Sequence, residues 1–422
     1  MTSKAATSLA FLTLALGLVA SAVAGDIYVV PSNPNAAAPY DTWETASADI
    51  VAAINNAAPS STVHVAKGTY KTAATIVIPL AVKVLGATGN RNDVIIDAQR
   101  KCRVIDATAG RAYIAGITIR GGKVSGASYY SRVFGAGIDL RAKGTISNCH
   151  VTACSTGDYV SGAGMLIRGS YAYDVLVDFC TNAPTTDKSY STKGYAVTVD
   201  QASLVDRCQV VHNVLTNGKY QSNYFGGAMA LYNNASADYA TTCIARNCLV
   251  AHNVVQAFME AGAMASGISL KGGIVENCTI ISNIVNGTSG NAFGATVFSD
   301  NNGTIRNCHI ADNYNAGSLK NYSTISLSGG GPSYLKRFMY CVTAPLDSRF
   351  VNCVLDDTST YGFGNRERLF ITKDSPCFGA AQRQNWMASA KDVYGRPRIH
   401  YANCDIGAVE YHPAPATFVQ VQ

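Results

Sequence analysis

Charge is scarce in this chain: Asp, Glu, Lys and Arg make up only 14% of its 422 residues, and tryptophan occurs twice. Charged amphipathic helices keep a polar face towards water, so that scarcity argues against helices as the main building element. Beyond Gly25 no stretch approaches the ~18 consecutive apolar residues that a membrane-spanning helix needs. No helix-turn-helix or zinc-finger pattern accompanies the net charge of +6, which is spread along the chain and argues for no nucleic-acid partner. An acidic partner of another kind stays open.

What the chain does have begins at its N-terminus. Lys4 precedes an apolar run from Leu9 to Val23, ending on Ala22-Val23-Ala24 before Gly25. The run is short for a bilayer span and ends in small residues, which reads as a secretory leader rather than an anchor. Removal of residues 1–24 and a soluble exported protein are the expectation.

Thirteen cysteines follow, an odd number, so at least one stays unpaired within the chain. In an exported protein they first suggest a disulfide framework. Their spacing points elsewhere. Seven segments align on a cysteine: Ile146-Ser-Asn-Cys149, Val177-Asp-Phe-Cys180, Val205-Asp-Arg-Cys208, Ala245-Arg-Asn-Cys248, Val275-Glu-Asn-Cys278, Ile305-Arg-Asn-Cys308 and Phe350-Val-Asn-Cys353. They recur about every 30 residues, with two longer intervals, as stacked supersecondary units do.

Two residues after the cysteine comes an aliphatic residue (Val151, Val210, Val250, Ile280, Ile310 or Leu355), the alternation of a strand with one buried face. The spacing between the upstream aliphatic residue and the cysteine breaks that alternation and predicts a bend. Five residues after the cysteine stand Asn213, Asn253, Asn283 and Asn313, a residue that tolerates left-handed backbone and can bond to a stacked copy of itself. A second strand per period starts from small residues, as in Gly135-Ala-Gly-Ile138, Gly162-Ala-Gly-Met165 and Gly226-Gly-Ala-Met229. Two bent strand groups per period describe one coil of an all-β, right-handed parallel β-helix solenoid. Stacking in line does not converge four thiolates on one point, so the cysteine column reads as small buried hydrophobes rather than metal ligands.

The ends of the chain carry a resemblance. Asp49 to Ala58 forms a short helical pattern with Ile50, Val51 and Ile54 on one face, followed by Ser60-Ser-Thr-Val-His-Val65 and Gly68-Thr-Tyr70. This resembles the entry cap of pectate-lyase-like β-helix proteins. Ser375-Pro-Cys377, Asp392-Val-Tyr-Gly-Arg-Pro-Arg398 and Asp405-Ile-Gly-Ala-Val-Glu410 resemble the closing segment of secreted bacterial β-helix repeat proteins. The resemblance implies a cap and first coil over 25–70, coils over 71–358 and a closing segment with tail over 359–422. It also implies a bacterial, secreted or cell-surface location. Cys377 and Cys404 flank the closing segment and form the candidate disulfide.

Several columns have a structural reading. The residues two before the cysteine, Ser147, Asp178, Asp206, Arg246, Glu276 and Arg306, alternate in charge like a surface ion-pair ladder. Four after it, the column Ala153, Pro184, His212, His252, Ser282 and Asp312 puts two histidines on adjacent coils. Those are a candidate proton-transfer or metal pair, against a chance surface pair, since no carboxylate in the column adjoins them.

The Gly-rich strand carries the candidate site. With Ile138, Met165, Val197, Met229, Met264 and Val297 inward, the residues three further on point outward: Arg141, Arg168, Asp200, Tyr232, Gly267 and Asp300, with Asp139 on the same side. Arg141, Arg168, Asp200 and Tyr232 are the candidate catalytic residues. Asp139 joins Tyr129, Tyr130, Tyr190, Tyr195, Lys219 and Tyr224 of the long entering loops as candidate binding residues, in loops that also hold Lys123, Arg132, Tyr159, Lys188, Lys193 and Tyr220. Aromatic faces pack on sugar rings while Lys and Arg meet carboxylates, so the combination suits an acidic polysaccharide. The same tyrosines also serve as loop packing.

Two functions fit. One is a polysaccharide lyase, with an arginine neutralising a uronate carboxylate and Tyr232 or an arginine taking the neighbouring proton. A glycoside hydrolase is the lesser enzymatic variant. The other is a non-catalytic surface or adhesive protein that binds cell-surface glycans. Neither the aspartate-rich calcium cluster of pectate lyases nor the paired-aspartate motifs of polygalacturonase-like hydrolases is present, so calcium stays open without a ligand set.

Overall fold

The computed structural model describes residues 24–125, 133–157, 160–182, 195–216, 227–232, 242–257, 264–287, 294–299, 303–315, 325–327, 338–343, 346, 350–355, 371–399 and 403–411. Among the described residues every strand pairing between successive coils is parallel, and the strands line up in four long sheets of eleven, eleven, nine and seven strands. The chain is a right-handed parallel β-helix. The first sheet starts at Asp26–Val29, the second at Gly68–Lys71, the third at Ile76–Val77 and the fourth at Lys123–Val124.

One coil shows how the sequence makes its corners. Ile138–Arg141 runs in the third sheet, and Ala142 and Lys143 turn left-handed, with φ of 52° and 65°. Thr145–Ser147 follows in the first sheet, then Asn148 at φ 47°, the inward Cys149, and His150–Thr152 in the second sheet. Ala153 at φ 52° makes the last corner before Ser155–Thr156 in the fourth sheet. The bend expected before the cysteine is therefore one left-handed residue, and Asn148, Asn247, Asn277, Asn307 and Asn352 all occupy it at φ between 47° and 54°. Asn enters this conformation more readily than most residues.

The alignment of coils differs from the sequence reading at two places. Val177 pairs with Val151 and Val210 in the second sheet, so Cys180 sits one corner later than Cys149. Its true counterpart in the cysteine column is Val175, after the left-handed Asp174. The misreading arises because an aliphatic residue, a left-handed residue and a small inward residue recur at both corners. In addition the long interval between Cys308 and Cys353 holds a further coil, Phe338-Met-Tyr-Cys341, paired to both neighbours.

The interior is one continuous apolar column, including Cys149, Cys208, Cys248, Cys278, Cys308 and Cys341, each buried. At ~1.5–3 kcal/mol for each large aliphatic side chain buried, these columns dominate stability. The asparagines bond to their stacked copies: Nδ2 of Asn213, Asn253 and Asn283 each donates to Oδ1 of the next at 2.9 Å. They are not themselves left-handed; the preceding His212, His252, Ser282 and Asp312 are. The small residues ahead of the third-sheet strands have a steric cause, since a Cβ on Gly137 would lie 2.6 Å from the carbonyl oxygen of Gly164 on the next coil.

Near the start, the helix Ile50–Asn55 is capped by Asp49, whose carboxylate accepts from Val51 N at 2.8 Å. It buries Ile50, Ala53 and Ile54 against the first strands, with Val51 only partly covered. Residues 371–399 and 403–411 lie along the flank of the coils. Val393, Ala408 and Val409 cover outward Leu249, Ala251, Ile281 and Ala311 of the second sheet. Ala408 N donates to Thr279 Oγ1 at 2.9 Å, and Arg246 stacks 4.8 Å over the Trp386 ring.

Cys377 and Cys404 do not form the expected disulfide; neither is bridged to another cysteine. Each occupies its own apolar place, Cys377 beside Ile371 and Ile406, and Cys404 3.4 Å from the sulfur of Met387. The charged column is also corrected: Asp178 belongs to the second sheet and bonds His150 at 2.8 Å, while Asp206 and Glu276 are buried rather than surface acids. Arg246 and Arg306 reach these two at 3.1 and 2.9 Å. Among the described residues no helix is long and apolar enough to cross a membrane.

Candidate functional site

The third sheet builds the candidate site through register. Strands Ile138–Arg141, Met165–Arg168, Val197–Asp200 and Met229–Tyr232 pair residue for residue, with their first and third side chains in the core. Their fourth residues stack as Arg141, Arg168, Asp200 and Tyr232 on successive coils, about 4.8 Å apart. All four candidate catalytic residues thus share one row. The next strand, Met264–Lys271, sets Ile268 opposite Met229 and Lys271 opposite Tyr232, and shifts register between Ala265 and Ile268 only against the following strand, Gly294–Ser299. Lys271 therefore takes the place expected for Gly267, and Ile268 that expected for Met264. Asp300 lies outside the described residues, as do Tyr129, Tyr130, Tyr190, Lys219 and Tyr224 and the loop residues Arg132, Tyr159, Lys188, Lys193 and Tyr220.

Asp139 is not an open ligand. It is buried, and Arg141 closes on it with Nε and Nη2 each 2.7 Å from a carboxylate oxygen. That bidentate bond holds the Arg141 guanidinium more firmly charged than usual. Arg103, which the sequence reading missed, bonds Asp106 at 2.9 Å and approaches Asp139 at 3.8 Å. Its coil lacks both the cysteine and the Gly-Ala-Gly signal; the alternation Ile105-Asp-Ala107 was the remaining clue. Arg168 Nε meets Asp200 at 2.9 Å. The row opens as two arginine-carboxylate units on neighbouring coils.

Tyr195 is not at a rim: it is fully buried, and its hydroxyl lies 2.6 Å from that of Tyr232. Burial pushes the Tyr195 phenol well up, so it keeps its proton. The outward column between the rows, Leu166, Thr198, Ala230 and Ser269, is buried as well, and the Thr198 hydroxyl has no hydrogen-bond partner among the described residues. Chemically, the row offers N–H and O–H donors for a polar chain running along the axis. Among the described residues no three His, Cys, Asp or Glu side chains converge on one point.

The two column histidines do meet, as parallel rings 5.2 Å apart, with Phe179 stacked 5.9 Å beyond His212. Lys123 of the loop set is exposed.

No protein-family model and no curated protein sequence matches the chain. Solved structures that resemble it include the pectate lyase Pel9A, at 11% identity and TM-score 0.47, covering 92% of this chain and 96% of that one. The Aspergillus niger pectin methylesterase aligns at 15% identity and TM-score 0.33, over 74% of this chain and 92% of that one. The Dettilon tailspike protein aligns at 14% identity and TM-score 0.29, over 74% and 70% respectively.

Proposed function

We propose that the protein binds an acidic polysaccharide laid along the outward face of the third sheet. The observation that carries this reading is the in-register row Arg141, Arg168, Asp200, Tyr232 and Lys271, five polar side chains on five consecutive strands of a rigid scaffold. Arg141 and Arg168 attract the carboxylates of the polymer as guanidinium cations, and Tyr232 offers its hydroxyl to a sugar hydroxyl. The leader-like residues 1–24 support this reading, since an exported chain meets such polymers.

Binding without cleavage is favoured over β-elimination. Both arginines are matched by carboxylates, and the buried Tyr195 phenol keeps its proton, so none of these three groups serves as the base. The test incubates the full chain with a panel of acidic polysaccharides, following affinity together with ultraviolet absorbance from unsaturated uronates. Retention of at least one polymer, weakened by Arg168→Ala, supports the reading. No retention across the panel refutes it, and product formation lost in Arg168→Ala restores the lyase.

A further inference from the structure

A different flank carries a cluster that the third-sheet row does not use. On the first sheet, Lys83 pairs with Tyr113, Tyr113 with Thr145, and Thr145 with Tyr171, so these side chains form one outward row on four successive coils. Tyr113 and Tyr171 are each 37% exposed, enough to offer a ring to a ligand. Two coils separate them, about 9.6 Å. Between them stands the smaller Thr145, and at the next outward position, two residues along, Ala115 pairs with Ser147, so no bulky side chain of these strands stands between the two rings. Tyr173 lies beside Tyr171 with its ring nearly parallel, 6.5 Å away.

The corner leading into this row is cationic. Arg111 and Lys143 occupy equivalent left-handed turn positions on adjacent coils, at φ 53° and 65°, and both are exposed, as is Lys83. None of the three has an ion-pair partner among the described residues. The contrast with the rest of this sheet is sharp: Arg207 is held by Asp174, Arg246 by Asp206 and Arg306 by Glu276. Unspent positive charge and open tyrosine rings therefore coincide in one patch.

We propose that this patch is a second polysaccharide-binding surface, taking an acidic chain that runs along the solenoid axis over the first sheet. The sugar C–H faces stack on Tyr113 and Tyr171, and carboxylates or sulfates of the same chain meet Lys83, Arg111 and Lys143. An acidic polysaccharide supplies both partners in repeating order, with a residue length close to the spacing of the coils. The proposal goes beyond the third-sheet reading, on which it rests only for the class of polymer.

The test measures binding of polygalacturonate to the full chain and to three variants: Tyr113→Ala with Tyr171→Ala, Arg111→Glu with Lys143→Glu, and Arg168→Ala on the third sheet. Removing two stacking rings weakens binding about tenfold. The charge reversal weakens it further and flattens its salt dependence. All of these first-sheet side chains are exposed, so unchanged unfolding midpoints verify that the variants are folded. Unaltered affinity in both first-sheet variants overturns the proposal, and loss in Arg168→Ala alone leaves the third-sheet reading standing without it. Loss in the first-sheet variants alone does the reverse. Inorganic polyphosphate serves as a probe without sugar faces: if it binds as tightly and is as sensitive to the tyrosine pair, stacking on sugars is refuted.

Discussion

Asn253 is the residue whose removal tests the architecture most directly. It has no exposed surface, and its Nδ2 donates to Val210 O at 2.8 Å, Ala251 O at 3.0 Å and Asn283 Oδ1 at 2.9 Å. Its Oδ1 accepts from both the backbone N and Nδ2 of Asn213, at 3.1 and 2.9 Å. Asn253→Ala takes the acceptor from the buried Asn213 N–H and the side-chain donor from two backbone carbonyls. Asn213 Nδ2 keeps Val177 O and Val211 O. At ~1–3 kcal/mol for each buried group left short, partly offset by relaxation, the expected cost is about 3–5 kcal/mol, at the upper end for point substitutions.

Urea unfolding followed by circular dichroism reads this out, with Arg120→Ala as the control. Arg120 meets Asp97 at 2.8 Å with 40% of its side chain exposed, so its loss costs only about 0.2–1 kcal/mol. Because coils interact with nearest neighbours, hydrogen exchange should accelerate first around Val210 and Ile280. A loss below about 1 kcal/mol for Asn253→Ala would mean that the ladder is incidental to the stack, and the reasoning fails.

Two further expectations follow from the same geometry. Burial pushes the Cys149 and Cys243 thiols up to about 12, so a thiolate-specific reagent should leave them unmodified in the folded protein and label them only in denaturant; mass spectrometry of rapidly alkylated native protein decides, and prompt labelling refutes the packing. The stacked His252 is held below the ordinary histidine value by burial and by His212, so the unfolded chain binds its proton first as pH falls through about 6.5. Stability is then full above that pH and declines below it; His252→Phe should flatten this part of the stability–pH curve, and an unchanged slope contradicts the assignment.

Much of the coil was legible because its determinants are local. Val151, Val210 and Ile280 alternate with outward residues, and a left-handed Asn before a cysteine is a short-range signal. The same locality caused the errors. Val177-Asp-Phe-Cys180 satisfies the pattern at the wrong corner, and only pairing of Val177 with Val151 and Val210 reveals it. In the candidate site, the common row of Arg141, Arg168, Asp200 and Tyr232 followed from strand periodicity. The burial of Asp139 and Tyr195 did not, since each is covered by groups whose position no period encodes.

Repetition in the amino-acid order was enough to determine a stack of parallel coils with thiol, aliphatic and asparagine columns inside, because each column repeats a short-range preference for one side of a strand or one kind of corner. Tertiary structure alone decided which charges neutralise one another, that Lys271 pairs opposite Tyr232, and that Val393, Ala408 and Val409 pack on the second sheet. Those outcomes depend on shape and desolvation between segments tens to more than a hundred residues apart, such as Ala408 on Thr279. No local pattern carries that information.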